Sequence, residues 1–180
     1  MYKRLLVLSD THGSVSSLTA VFAWAKGFAP STAVFLGDGI SDLQKAMTKA
    51  GFFCILEKVR GNNDVGAPCM DTSVFDFGGH RFFLCHGHRH DLYRGTDMLV
   101  SEARDKGASV ALFGHTHIPF QEDSSGVLLV NPGSVGNPRS HVGATFASIE
   151  CATGKPLKLE FWGVDFGGNV SPVSVGNSYW

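Results

Sequence analysis

Seven acidic, amide and imidazole side chains stand next to or near glycines, directly after short apolar runs: Asp10, His12, Asp38, Asn62, His86, His115 and His117. They occur in the stretches SDTHG, LGDG, RGNND, CHGH and FGHTH. Carboxylate, amide oxygen and imidazole together suit borderline divalent ions such as Mn, Fe, Co or Zn. Asp10 and His12 are two residues apart, as are His115 and His117, so within an extended segment each pair shares a face. The set predicts a metal site with enough donors for two ions and one carboxylate free to bridge them.

Each of these stretches alone is a weak indicator. An Asp at the end of a strand is often only a helix N-cap, and Asp38 by itself favours that interpretation. A single His is more often a hydrogen-bonded core residue, but the two imidazoles of GHTH follow an apolar strand and need partners if they are buried. Five such endings in one chain favour a common site.

The first half of the chain alternates short apolar runs with helical patterns. The runs at 4–9, 33–38 and 52–59 predict strands, a helical spacing of apolar residues begins at Val15, and DLQKAMTKAG (42–51) predicts a second helix. This βαβαβ order implies parallel strands joined by right-handed crossovers. Because ligands bind at the carboxyl ends of parallel strands, the candidate side chains should converge there.

The second half is richer in strands. SVFDFGGHRFFLCHG (73–87) predicts a hairpin around Gly78 and Gly79, and a helix follows from about Thr96 to Lys106. The runs VLLVN, ATFASIE and LKLEFWGV predict further strands. We therefore expect an α/β fold, a two-sheet β-sandwich flanked by helices, in a single domain over residues 1–180, with about the last ten residues loosely ordered.

Composition limits the partners. The 180 residues are 43% hydrophobic and carry a formal net charge of -1, which is typical of a compact globular protein. Without a run of Lys or Arg, strong binding to duplex nucleic acid is disfavoured, whereas a small anionic substrate is compatible because a bound metal supplies positive charge. Four scattered cysteines indicate reduced thiols and a cytoplasmic protein, and neither a signal peptide nor a membrane span is predicted.

The ordered motifs D-x-H, G-D, G-N-x-D, H-G-H and G-H-T-H, followed by NPGSVGNPR, resemble the calcineurin-like metallophosphoesterase superfamily from about Leu5 to Arg139. The small size and the NPGS sequence are similar to its YfcE-type phosphodiesterase branch. The resemblance implies a four-layer αββα metallophosphoesterase fold and two divalent metal ions, with Mn as first candidate and Ni, Fe, Co or Zn as alternatives. The ligand roles it implies are Asp10, His12 and His117 for the first metal, Asp38 as the bridge, and Asn62, His86 and His115 for the second.

The resemblance also implies a phosphodiesterase that hydrolyses a small phosphodiester or nucleotide-like substrate by in-line attack of a metal-bridging hydroxide. The candidates for catalytic residues in this sequence are Asn63, Asp64 and His88, and Arg139, which lies beside a motif, is a candidate for substrate binding. Asp64 matches a position that orients its neighbour. Asn63 replaces a histidine that protonates the leaving group in many members, and an amide cannot act as that acid. We therefore expect substrates with acidic leaving groups to react most easily.

Several alternatives stay open. His88 or His90 could replace the missing acid, although both are expected to be solvated loop residues. The same fold serves as a protein-binding scaffold in the small retromer subunit, so a catalytically weak metal-binding scaffold is one alternative, and a nuclease for short or cyclic nucleotides is another. The resemblance is also compatible with a homo-oligomer, because family members of this size often associate. HGHRHD (86–91) resembles the H-x-H-x-D-H motif of metallo-β-lactamase-like hydrolases, but with its last two letters reversed.

Overall fold

The computed structural model describes residues 2–176. The three helices are α1 (Val15–Phe28), α2 (Ile40–Ala50) and α3 (Asp97–Asp105). The strands are β1 (Lys3–Leu8), β2 (Thr32–Phe35), β3 (Ile55–Lys58), β4 (Thr72–Phe77), β5 (His80–Cys85), β6 (Val110–Leu112), β7 (Pro119–Ser124), β8 (Val127–Pro132), β9 (Ala144–Cys151), β10 (Lys158–Val164) and β11 (Val170–Val173).

The strands form two mixed sheets. The first has the order β11-β10-β9-β1-β2-β3 and the second the order β4-β5-β6-β8-β7. β1, β2 and β3 are parallel, which confirms the predicted βαβαβ unit, and β9 to β11 extend this sheet with antiparallel pairs. In the second sheet β5, β6 and β8 are parallel. Each sheet therefore has a group of parallel strands whose carboxyl ends lie at one edge.

Alternating side chains of β1 show how four layers arise from one apolar run. Leu5 and Val7 lie in the core between the two sheets, whereas Leu6 and Leu8 face the core beneath α1 and α2. The third core lies between the second sheet and α3, which contributes Leu99. Because both faces of β1 are covered, the strand is apolar at every central position. The predicted αββα arrangement is confirmed.

Most local predictions agree with the structure, with some corrections at element ends. Gly78 and Gly79 have φ angles of 59° and 89°, as a two-residue hairpin turn requires. The strand predicted at 52–59 is too long, because the Phe52 N–H donates to Met47 O and so belongs to the end of α2. β7 and β11 were not predicted.

The end of the chain includes a short strand, and the cysteines, all of which the structure describes, form no disulfide. The sequence predicts loose order over about its last ten residues. β11 occupies part of this stretch, and residues 177–180 lie outside the described part of the chain. The four cysteines are free thiols. Within residues 2–176, no helix has the length and apolar character needed to cross a membrane.

Candidate metal centre

The seven predicted ligands all follow strands of the two parallel groups. Asp10 and His12 follow β1, Asp38 follows β2 and Asn62 follows β3, while His86 follows β5 and the pair His115 and His117 follows β6. The first sheet therefore supplies both carboxylates, and the second supplies three of the four imidazoles.

The backbone at these positions is unusual. Five of the seven residues have positive φ angles: Asp10 (56°), His12 (43°), Asp38 (60°), His115 (70°) and His117 (63°). Non-glycine residues rarely adopt this left-handed region, although Asp and His tolerate it better than most. Such conformations cost on the order of 1–3 kcal/mol each and cluster at functional sites. Because five such residues lie at one edge of the sandwich, this edge is indicated as a functional site.

A first group of converging donors consists of Asp10, His12 and His117. Asp10 Oδ1 lies 3.2 Å from His117 Nε2 and 3.7 Å from His12 Nε2, and the two imidazole nitrogens are 3.1 Å apart. This Oδ1 is buried and has no hydrogen-bond partner among residues 2–176. A buried carboxylate oxygen aimed between two imidazoles fits a divalent cation, because the cation would satisfy the oxygen and both nitrogens.

Asp10 and His117 are held in ligating form by their neighbours. Asp10 Oδ2 accepts hydrogen bonds from Ser9 Oγ at 2.5 Å and from the His115 backbone N–H at 3.0 Å. Burial alone would raise the pKa of Asp10, but the contacts with His117 and His12 outweigh it and hold this pKa below its usual range. His117 Nδ1 lies 2.6 Å from Asn137 O, so Nδ1 carries the proton and Nε2 has its lone pair available.

A second group of donors consists of Asp10, Asp38 and His86. Asp38 is 2% exposed, and its Oδ2 lies 3.6 Å from His86 Nε2 and 3.7 Å from His12 Nε2. His86 Nδ1 donates to Leu36 O at 2.7 Å, which again leaves Nε2 available. Asp38 thus lies between imidazoles of both groups, where a bridging carboxylate would be.

Asn62 and His115 lie beside the second group. Asn62 Oδ1 is 3.1 Å from His86 Nε2. The His115 ring centroid is 5.1 Å from that of His86, and burial, together with the charge that His86 can carry, lowers the pKa of His115 to about 4. His115 is therefore a neutral imidazole at neutral pH. Its side chain is not in either group of converging donors within the described residues, and its backbone N–H contacts Asp10 instead.

Asp64 organises the loop that carries Asp38. Its Oδ2 accepts from the backbone N–H groups of Asp38 at 2.6 Å and Gly61 at 2.9 Å, and its Oδ1 accepts from those of Gly39 and Ile40, both at 2.9 Å. One carboxylate thus joins the end of β2, the start of α2 and the loop after β3. Asp64 orients backbone and does not face the donor groups.

Asn63 and Gly61 fix the Asp38 side chain from the same loop. The Asn63 backbone N–H donates to Asp38 Oδ1 at 2.8 Å, and the Asn63 side-chain amide donates to Oδ2. A Cβ added at Gly61 would overlap the Asp38 carboxylate. GNND is therefore more than a turn, because each of its residues except Asn62 contacts Asp38 or its backbone directly.

The loop histidines differ from one another. His90 is 5% exposed and its Nε2 lies 2.9 Å from Glu102 Oε2, so the expectation that it is solvated is wrong, because α3 covers it. His88 is half-buried, and its ring centroid lies 5.4 Å from that of His86. Burial, followed by the charge on His86, lowers the pKa of His88. HGHRHD supplies only His86 to the donor groups, unlike a metallo-β-lactamase-like motif.

Arg139 lies at the rim of the centre. Its backbone N–H donates to His117 O at 3.2 Å, and its Nη1 donates to the Tyr93 hydroxyl at 3.3 Å. The Tyr93 ring centroid is 6.1 Å from that of His115. Arg139 thus occupies a position suited to the predicted contact with a phosphate. Tyr93 was not predicted, and the surrounding DLYRG carries no periodic pattern that would single it out.

Three further side chains support the loops that carry the ligands. The Ser134 hydroxyl donates to Asp10 O at 2.7 Å, and the Asn131 amide donates to Gly114 O at 2.8 Å, so the NPGS segment holds the two strand ends from below. Asp42 accepts from Thr11 Oγ1 at 2.6 Å and from the Gly13 N–H at 2.9 Å. The sequence does show Asp42 as an acidic residue in the first turn of α2, but acidic residues are common at this position in helices that are not part of a site.

The chain is similar to several known proteins. Residues 4–154 match the family model described as the calcineurin-like phosphoesterase superfamily domain. A probable metallophosphoesterase of Mycoplasma pneumoniae is 33% identical over 162 residues, covering 88% of this chain and 96% of the relative. Phosphodiesterase YfcE of Escherichia coli K12 is 25% identical over 170 residues, covering 82% and 87%. The crystal structure of Entamoeba histolytica Vps29 complexed with zinc has a TM-score of 0.72 at 19% identity, covering 94% and 97%.

Proposed function

The chain belongs to the calcineurin-like phosphoesterase superfamily, and from this premise we propose that it is a metal-dependent phosphodiesterase acting on a small phosphodiester. The observation that carries the proposal is the pair of donor groups that share Asp10, together with the position of Asp38 Oδ2, which lies 3.6 Å from His86 Nε2 and 3.7 Å from His12 Nε2. The unsatisfied, buried Oδ1 of Asp10 supports metal binding independently of the sequence motifs. The resemblance to the YfcE branch favours a diester over a monoester.

We assign the donors to two divalent ions. Asp10, His12 and His117 would hold the first, His86, Asn62 and His115 the second, and Asp38 would contact both. Such ions supply Lewis acidity to the phosphoryl oxygens and lower the pKa of a bound water. Oxygen and imidazole donors without thiolates favour Mn, with Ni, Fe, Co and Zn as alternatives.

Four residues near the ligands take three different roles in this proposal. Asn63 and Asp64 are positioning residues, because one donates to the Asp38 carboxylate and the other holds its backbone N–H. His88 is the remaining candidate for proton donation to the leaving group, since its ring lies beside that of His86. Arg139 would contact the substrate phosphate from the rim. With an amide at position 63, diesters with acidic leaving groups should react fastest.

The likeness to Vps29 supports a second candidate function. A protein-binding scaffold that keeps its metal site for structure is consistent with this fold and with the donor groups of this chain. Short or cyclic nucleotides are substrates that the first proposal also accommodates. Cytoplasmic location and homo-oligomer formation remain predictions.

Hydrolysis of bis-p-nitrophenyl phosphate and p-nitrophenyl phosphate tests the choice. Metal-stripped protein should be inactive, and added Mn, Ni, Co, Zn or Mg should restore turnover that prefers the diester. Asp38→Asn should abolish this turnover, whereas Asp123→Asn, a control at an exposed position on β7, should retain it. Stoichiometric metal binding without turnover under any of these conditions would refute the enzyme and favour the scaffold.

A further inference from the structure

A cavity of about 580 Å³ opens beside the metal centre. His86, a member of the second donor group, forms part of its wall together with His88. Small-molecule sites typically have volumes of about 300–1,000 Å³. A substrate whose phosphate lies at the metal centre can therefore extend one of its two arms into this cavity.

Two ring nitrogens on the cavity wall have unused hydrogen-bonding capacity. His88 Nδ1 and His90 Nδ1 are buried, and neither has a hydrogen-bond partner within residues 2–176. The other nitrogen of His90 is already occupied by Glu102, which fixes the orientation of the ring. Because buried polar atoms are normally paired, these two nitrogens indicate a bound group with complementary donors and acceptors.

Two methionines supply apolar surface to the same cavity. Met70 precedes β4 and is 74% exposed, and Met98 lies in the first turn of α3 and is 56% exposed. Their exposed side chains give this part of the cavity wall an apolar surface. Thioethers make favourable contacts with aromatic rings, so this pair suits a planar aromatic group.

Two arginines are held at the cavity by one carboxylate. Asp71 Oδ1 accepts from Arg60 Nε at 2.9 Å and Nη2 at 2.6 Å, and Asp71 Oδ2 accepts from Arg89 Nη2 at 2.9 Å. Glu102 also lines the cavity, so the two guanidinium groups and the two carboxylates of its wall carry no formal net charge. The Arg89 side chain is 68% exposed, so its ion pair adds little to stability, but it keeps the remaining N–H donors at the cavity wall.

We propose that this cavity binds the planar heteroaromatic arm of a phosphodiester, of the nucleoside class, while the phosphate lies at the metal centre. The thioethers pack against the ring, and the histidine nitrogens and guanidinium groups hydrogen-bond to its polar edge. This inference rests on the proposed phosphodiesterase function and adds a substrate class to it. The arginines favour an arm that also carries acceptor oxygens, such as a ribose or deoxyribose.

The kinetic test uses three diesters with the same p-nitrophenolate leaving group: the p-nitrophenyl esters of thymidine 5′-phosphate, adenosine 5′-phosphate and methyl phosphate. We expect kcat/KM to be at least about tenfold higher for one of the nucleoside esters than for the methyl ester, mainly through KM. Arg89→Ala and Met98→Ala should each lower the ratio of kcat/KM for the nucleoside ester to kcat/KM for the methyl ester several-fold. Arg94→Ala is the matched control, because Arg94 is an exposed residue of the same loop that pairs with Asp91 and does not line the cavity.

A binding measurement provides a readout that does not depend on turnover. Adenosine or thymidine, titrated into zinc-loaded protein, should shift amide resonances of residues 87–90 and 98 in ¹⁵N–¹H spectra. A kcat/KM ratio of nucleoside ester to methyl ester that is near one and unchanged in Arg89→Ala would overturn the inference. The absence of these resonance shifts would also overturn it. Failure to hydrolyse any of the three esters with any metal would instead overturn the phosphodiesterase proposal itself.

Discussion

Replacement of Asp64 by Asn tests the view that this buried carboxylate organises the metal centre without binding metal. The side chain accepts four backbone hydrogen bonds, two at each oxygen. An amide of the same shape has only one oxygen. Whichever way it is oriented, two backbone N–H groups lose their acceptor and face an NH₂ group that is itself a donor.

The expected decrease in the free energy of unfolding follows from the two lost hydrogen bonds. Hydrogen bonds to a charged group contribute about 1.5–3 kcal/mol each, so the loss of two predicts a decrease of about 3–6 kcal/mol in the free energy of unfolding. The lost negative charge near the N-terminus of α2 acts in the same direction. Since the Asp38 N–H is one of the four donors, metal affinity should also fall, by about 10–100-fold as for other residues that support ligands.

Urea denaturation and calorimetric titration with Mn or Zn measure the two effects. With a slope of about 2 kcal/mol/M, the urea midpoint of Asp64→Asn should fall by about 1.5–3 M. Asp76→Asn is the matched control, because Asp76 pairs with Arg81 on the exposed face of a hairpin and lies far from the centre in the fold. A decrease below about 1 kcal/mol for Asp64→Asn, with metal affinity like that of the wild type, would refute the reasoning.

Three further predictions concern the same centre. Gly61→Ala should weaken metal binding and destabilise the protein, because the new Cβ overlaps the Asp38 carboxylate. Gly27→Ala is the control: its Cβ meets no other atom, so this change should stabilise α1 by about 0.5–1 kcal/mol. Calorimetric titration with metal and urea denaturation measure the two effects. Asn63→His should raise kcat/KM by up to about 100-fold for alkyl diesters with poor leaving groups, but little for bis-p-nitrophenyl phosphate. Equal gains on both substrates would contradict a proton-donor role for a histidine at this position. Metal at 100 times its Kd should stabilise the wild type by about 2.7 kcal/mol in denaturation and Asp10→Asn much less, and equal stabilisation would remove Asp10 from the site.

The sequence predicted strand ends well because their causes are local. An apolar run such as that of β1 needs cover on both faces, and a polar residue beside Gly marks where the chain leaves the sheet. Asp10, Asp38, His86 and His117 are therefore predicted from sequence alone to meet at one edge. The antiparallel strands β7 and β11 were missed because PFQEDS is mostly polar and VSPV contains Pro172, as is common for edge strands.

Other features depend on contacts between distant segments and left no local pattern. His90 is buried only because Glu102 and the rest of α3 lie over it. The cavity beside the metal centre combines the segment after β3, the loop after β5 and the start of α3. Asp64 matched a family position, but its four backbone partners come from two loops that sequence alone does not place together.

The division of donors between the sheets has a consequence for the order of events during synthesis. By residue 64 the emerging chain contains both carboxylates, Asn62 and one imidazole, His12, whereas His86, His115 and His117 come later and belong to the other sheet. Neither half offers a complete set of donors by itself. High-affinity metal capture should therefore begin only after the two sheets have docked, so metal uptake would report completion of the whole sandwich and would select finished molecules over partly folded ones.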